Sequence, residues 1–167
     1  MADASRSFEH SGCCGHALQA PALRLREAEA VCATRGERLT AQRRQVLAAL
    51  IAAGRALGAY DLIDHVAETG GKRVAPITIY RALDFLVAQG LVHRIESRNA
   101  FLACPAGHGP HAEAIFLICD ACGKVCEAVS PPLEMALGTL AAERGFAPRA
   151  RIIELVGHCA DCRPAGV

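Results

Sequence analysis

The chain has 167 residues, of which 52% are hydrophobic, 4% are aromatic and none is Trp, and its net charge is +1. That length suits one ordinary domain or two small ones, and that apolar content excludes a globally disordered chain. With so few rings, the core has to be built from Ala, Leu, Val and Ile, a composition that leans helical. The N-terminus lacks the basic-then-apolar run of a secretory signal, and no apolar run is long enough to span a bilayer, so a cytoplasmic protein with no membrane partner is expected. In a reducing compartment, nine cysteines read better as metal ligands than as disulfides. The charge is unevenly spread: residues 1–103 hold 13 Lys and Arg against 10 Asp and Glu, and residues 104–167 hold 5 against 7. Nucleic acid, if bound, is expected to meet the first part.

Residues 1–20 read as a flexible N-terminal tail broken by Ser11, Gly12 and Gly15. Its His10, Cys13, Cys14 and His16 are adventitious ligands on this reading, because ordering a tail costs about 1–2 kcal/mol per residue. Residues 22–34 form an amphipathic helix carrying Ala22, Leu25, Ala28, Ala30 and Val31, stopped near Gly36. Thr40 is a good N-cap for a second helix, in which Val46, Leu47, Leu50 and Ile51 make an apolar stripe with Arg43 and Arg44 at or off its edge. Gly54 and Gly58 mark a turn. A third helix then runs from Tyr60 to Ala67 with Leu62, Ile63 and Val66 inward, and Gly70–Arg73 is a loop. Pro76 opens a fourth helix, where its missing N–H costs nothing, and Gly90 ends it. At 100° per residue, Ile79, Leu83 and Leu86 share one face and Arg81 projects opposite; Phe85 fits neither. Leu91–Glu96 and Ala100–Ala103 pair as two strands around an Arg98-Asn99 turn.

Helices followed by a hairpin are the layout of a winged helix-turn-helix, whose last helix enters the major groove of double-stranded DNA. The candidate groove contacts are Arg81, with Thr78 and Tyr80 beside it. Arg43, Arg44 and Tyr60 are candidates for phosphates, which position the protein without reading sequence. A lone surface arginine is ordinarily a solvated charge, so the reading rests on helix order, wing and charge asymmetry together.

Residues 104–112 are a Gly- and Pro-rich hinge loop. Beyond it come a buried strand from Ala114 to Ile118, a second from Lys124 to Ala128, and a helix opened by Pro131-Pro132, with Leu133, Ala136, Leu137 and Leu140 inward and Gly145 at its end. A last strand spans Ala150–Gly157. Three strands and one helix expose more apolar surface than they can cover, and a homodimer is the natural remedy. The expected fold class is α+β: a tail at 1–20, a winged-helix DNA-binding domain at 21–103, the hinge at 104–112, and a small α/β zinc-containing dimerisation domain at 113–167.

Two Cys-x-x-Cys knuckles punctuate that second domain, Cys119-x-x-Cys122 and Cys159-x-x-Cys162. Four thiolates in two such turns are the usual closed structural zinc site; two disulfides or idle thiols are the bland alternative. A second constellation lies near the boundary: His93, Cys104, His111 and Glu127. If they converge, one thiolate, two imidazoles and one carboxylate suit tetrahedral zinc and disfavour hard cations. Singly, each is also an ordinary surface or core residue. His108 competes with His111, and Cys126 is either a buried thiol or a spare ligand. The run His111-Ala112-Glu113 before Cys119-x-x-Cys122 superficially matches the zinc deaminase pattern. Only five residues separate Glu113 from Cys119, too few for the intervening strand and helix, so no enzyme, catalytic residue or small-molecule substrate is expected.

Taken in order, Leu39-Thr40-Ala41-Gln42-Arg43, Ala59-Tyr60-Asp61-Leu62, Thr78–Leu86, Gly90–Ser97, Phe116–Gly123 and Gly157–Cys162 resemble the ferric uptake regulator (Fur) family of metal-dependent repressors, over about residues 24–162. The likeness is nearest to its zinc-responsive members. It implies a homodimer that binds a palindromic operator when zinc is its co-repressor, silencing zinc-import genes, with two zinc ions per chain. Structural zinc is implied at Cys119, Cys122, Cys159 and Cys162, regulatory zinc at His93, Cys104, His111 and Glu127, and DNA contacts at Tyr60 and Arg81. His111 stands one position from the histidine of the nearer relatives, which leaves His108 open. The chain lacks the His-rich stretch of the iron-sensing members, which favours zinc over iron; a Fur-family sensor of another metal (iron, manganese or nickel) is the alternative within the family. A zinc-ribbon interaction module without DNA binding is the rival reading. Cys13 and Cys14 have no counterpart in the family.

Overall fold

Proline and threonine set where the helices begin. In the computed structural model, which describes residues 20–70, 75–104, 115–149 and 151–164, Pro21 lies in the first turn of helix α1 (Pro21–Thr34). The Thr40 hydroxyl accepts the Arg43 backbone N–H at 3.4 Å and caps α2 (Ala41–Ala53). Gly54 ends α2 at φ 61°, a left-handed conformation that suits a residue without Cβ. Helix α3 spans Ala59–Gly70, and Pro76 starts α4 (Pro76–Ala88). Val46, Leu50, Leu62, Val66, Ile79 and Leu86 are fully buried where these helices meet. Helix α1 joins through Leu25, Ala28 and Cys32, and an Arg44–Glu29 ion pair of 2.8 Å ties it to α2.

The wing is a three-stranded antiparallel sheet rather than a hairpin. Strands β2 (Val92–Ile95) and β3 (Ala100–Ala103) pair as expected, but β1 (Leu57–Gly58) joins the other edge of β3, opposite Phe101 and Ala100. Two residues are too short to show alternation, so only the tertiary pairing reveals that strand. Phe85 also finds its reason. It packs on the helical core, and the Arg43 guanidinium lies 3.4 Å over its ring while donating to the Arg38 carbonyl at 2.7 Å. Phe85 therefore leaves the apolar stripe because its partner is a cation from α2.

The second sheet holds β5 (Val125–Ala128), β4 (Ile115–Cys119) and β6 (Ile153–Gly157) in that order. Strand β5 is antiparallel to β4 and β6 is parallel to it, the crossover carrying α5 (Pro131–Glu143). Phe116 pairs with Glu127 on one side and Glu154 on the other, so these three share the face turned to the wing. A small apolar cluster joins the two sheets: Ile95 and Leu102 from the wing, Phe116, Ile118 and Val125 from the second sheet.

Helix α5 departs from expectation. None of its residues is buried; Leu133 and Leu137 are only half-covered, while Ala136 and Leu140 are exposed, Leu140 by 51%. Among the described residues, none packs on α5 closely enough to bury a side chain of it. Leu155 and Val156 on β6 are likewise 56% exposed. The apolar surface expected of a dimerising sheet is thus larger than composition suggested.

Candidate metal centres and nucleic-acid interface

The parallel register sets Cys119 beside Gly157, which brings the turn after β6 against the turn after β4. Backbone bonds fix both turns: the Gly123 N–H donates to the Cys119 carbonyl at 3.0 Å, with Gly123 at φ +75°, and the Cys162 N–H donates to the Cys159 carbonyl at 3.0 Å. The four sulfurs of Cys119, Cys122, Cys159 and Cys162 then lie within 4.8 Å of one another. The Cys122–Cys159 sulfur separation is 3.8 Å, and all seven described cysteines are outside disulfides. Tetrahedral zinc with bonds of about 2.3 Å to sulfur requires an edge of about 3.8 Å, against about 2.05 Å for a disulfide. The donor set fits zinc and rejects the disulfide alternative. The Cys159 N–H reaches the Cys119 sulfur at 3.4 Å, and this bond leads the causes that lower its pKa to about 6. Contact with the Cys159 and Cys122 sulfurs pushes Cys162 up to about 12. Crowded thiols resist ionising together unless a cation balances them.

The second cluster is assembled from both sheets. His93 comes from β2, Cys104 follows β3, and Glu127 comes from β5; one ligand atom from each lies within 4.8 Å of the others. His93 Nε2 stands 3.4 Å from Glu127 Oε2, with side chains only 10% and 6% exposed. Zinc bonds of about 2.1 Å to nitrogen and oxygen require an edge of about 3.4 Å, so this pair also fits. The His93 ring leans on Phe116, centroids 5.0 Å apart, and the Cys104 N–H is held by the Leu91 carbonyl at 3.0 Å. Burial disfavours a charged His93, but bonds to Cys104 and Glu127 outweigh it and raise its pKa to about 9. The sulfur and carboxylate that favour a proton there are also the donors a divalent cation takes. His108 and His111, like the tail ligands His10, Cys13, Cys14 and His16, lie outside the described residues. Cys126 is buried with its sulfur 3.8 Å from the Glu127 carbonyl and belongs to neither cluster.

Two contacts between the sheets had no local signal. Glu154 accepts the backbone N–H groups of Glu96 (2.7 Å) and Ser97 (3.0 Å) in the short turn Glu96–Arg98 at the wing tip. Arg98 donates to the Cys119 carbonyl at 3.0 Å. The Glu154 pKa is lowered: burial opposes the charge, and the bonds from Ser97 and Glu96 outweigh it. A carboxylate with a depressed folded pKa contributes stability above its unfolded value, about 4.3, and that contribution fades as pH falls through the lower folded value. Glu154→Gln is therefore expected to cost about 1 kcal/mol at pH 7, the strength of charged hydrogen bonds after solvent screening. Unfolding midpoints of variant and parent should converge below pH 4; a gap independent of pH argues against the carboxylate.

On the other side, Tyr60 at the start of α3 is 76% exposed, and Tyr80 and Arg81 lie on the outer side of α4. Thr78 is half-buried and, three residues before Arg81, neighbours it on the helix surface. Arg44 is engaged with Glu29, and Arg43 is held over Phe85. Arg81 thus remains the outward-facing arginine in the middle of the last helix before the wing.

The family model for the ferric uptake regulator family matches residues 34–156, a span that includes the whole of α4, the wing, the first knuckle, His93, Cys104 and Glu127. The chain belongs to the ferric uptake regulator family. It is 45% identical over 139 residues to the zinc uptake regulation protein of Escherichia coli, covering 83% of this chain and 80% of that protein. A solved structure described as a zinc uptake regulator complexed with zinc and DNA superposes with a TM-score of 0.80 at 41% identity, over 86% of this chain and 95% of that one. The holo form of a protein named XcZur gives 0.73 at 41% identity, over 85% and 97%. Within the Fur family, then, the fold is a winged helix followed by a small α/β dimerisation domain. Cys159 and Cys162 lie beyond the matched span, and it is the β4–β6 register that brings them to the first knuckle.

Proposed function

We propose that the chain is a zinc-dependent transcriptional repressor that binds palindromic operators as a homodimer in the cytoplasm and controls zinc-uptake genes. The convergence of His93, Cys104 and Glu127 between wing and second sheet carries this reading, because a ligand set split across two units makes their relative placement depend on the ion. Zinc, when bound there, supplies a divalent charge and tetrahedral bonding that the three side chains share, with His111 or His108 as the expected fourth ligand. The sulfur of Cys104 selects against hard cations and favours zinc over manganese. The four cysteines hold the structural ion, for two zinc per chain. The division into 1–20, 21–103, 104–112 and 113–167 follows from the same reading, with the hinge at the join. The outward apolar surface of α5 and β6 supports dimerisation through the second unit, and among the described residues no helix is long and apolar enough to cross a membrane.

Binding of zinc-loaded protein to an operator selected from random duplex DNA should weaken sharply when a chelator removes the regulatory ion. Equal affinity in both conditions rejects the proposal. Arg81→Ala should lower operator affinity about tenfold or more, since a groove contact contributes about 1–3 kcal/mol. Thr78 and Tyr80 accompany Arg81 in the groove, whereas loss at Tyr60, or at Arg43 once it exchanges its place over Phe85 for a phosphate, should be nearly uniform across sequences. An unchanged affinity for Arg81→Ala, measured by anisotropy, moves the interface away from α4.

A further inference from the structure

Helix α1 reaches the regulatory cluster directly. Arg24, half-buried near its start, donates from Nη2 to the carbonyl of Cys104 at 2.9 Å and of Ala103 at 3.5 Å. The bond spans 80 residues and ends on the main chain of a proposed ligand. On the other side of the same residue, the Cys104 N–H is already held by the Leu91 carbonyl at 3.0 Å. Cys104 is thus gripped at both ends, by the wing at its nitrogen and by α1 at its carbonyl, just where the chain leaves β3. The helix does not need Arg24 in order to dock, because Leu25, Ala28 and Cys32 bury its inner face and Glu29 pairs with Arg44. Arg24 also precedes residue 34, where the family match begins.

We propose that Arg24 is a positioning residue for the regulatory metal site: it fixes the Cys104 main chain so that the thiol faces His93 and Glu127, and it ties that site to the helical DNA-binding core. The proposal rests on the assignment of His93, Cys104 and Glu127 as ligands. A guanidinium suits the task because it stays charged when half-buried and holds its N–H groups in one rigid plane, so that a single Nη2 serves the carbonyls of Cys104 and Ala103, while a lysine offers a freely rotating point charge.

The test is a zinc competition titration of full-length protein that already carries the four-thiolate ion, together with the sulfur-to-cobalt charge-transfer band of the cobalt-substituted regulatory site. Arg24→Met should weaken zinc at that site about tenfold and shift or diminish the band, with the four-thiolate zinc retained and the unfolding midpoint within a few degrees of the parent. Arg24→Lys should fall between the two. An unchanged affinity and band in Arg24→Met overturns the proposal. So does a parallel loss at both metal sites with a lowered midpoint, which would make Arg24 a general support of the fold. Cys104→Ser in the same titration separates the two ideas: if it binds zinc as tightly as the parent, the ligand assignment itself is wrong.

Discussion

Cys119→Ser is expected to unfold the second sheet while leaving the helical part standing. The sheet has little else to hold it. Among the described residues, its buried apolar side chains beyond the knuckle are Ile115, Phe116, Ile118, Val125 and Cys126, and α5 buries none. The knuckles join the ends of β4 and β6, and Cys119 sits at their centre, buried, with the Cys159 N–H on its sulfur and the Arg98 side chain on its carbonyl. A structural zinc contributes about 10 kcal/mol or more of folding free energy, comparable to the whole stability of an ordinary domain at about 5–15 kcal/mol. Serine offers a neutral hydroxyl in place of a thiolate, so most of that contribution goes. The first part has its own core, from Val46 and Leu50 through Leu62 to Leu86, and should stay helical. Hydrogen exchange should show residues 115–162 losing protection and 41–88 keeping it, with bound zinc falling by one per chain or more. A second sheet that remains protected in the zinc-depleted variant would refute the assignment.

Cys104→Ser should have the opposite signature: an intact fold and a silent sensor. Cys104 ends β3 and is anchored through its main chain, to Leu91 and to Arg24, and both anchors survive the change. What is lost is the one sulfur of a set that otherwise offers nitrogen and oxygen. If the ion changes DNA affinity through the relative placement of the two units, the ratio of affinities with and without zinc is the coupling, typically about 5–150-fold. In Cys104→Ser that ratio should fall to about one, with the unfolding midpoint and the four-thiolate zinc unchanged. A variant that still responds to zinc removes Cys104 from the sensor. A variant that unfolds makes it a structural residue instead.

The chain shows how far local signals reach. The Thr40 cap, Pro21, Pro76 and Pro131 set the helix starts, and the spacing of Ile79, Leu83 and Leu86 set which face of α4 is inward. Each knuckle is a four-residue motif and is legible for the same reason. The convergence of His93, Cys104 and Glu127 was only a conditional expectation, since nothing in their spacing brings three strands' ends together. The positions that escaped local reading are those whose partners are remote: the two-residue strand β1, Phe85 under Arg43, Glu154 on the wing tip, and Arg24 on Cys104.

Helix α5 taught the reverse lesson. Its apolar spacing predicts an inward face, but periodicity states only that a face is apolar and says nothing of what covers it.

By itself, the order of residues determined the helices, the β2–β3 hairpin of the wing, the two sulfur turns and the outward place of Arg81, because caps, periodicity and turn chemistry act within about ten residues. Only the tertiary structure decided that the two knuckles meet and that an imidazole, a thiol and a carboxylate share one pocket. It also decided that Glu154 of the second sheet grips the wing tip and that Arg24 of α1 holds the main chain of Cys104. Those outcomes depend on strand register and on contacts between segments tens of residues apart, and no local preference encodes them.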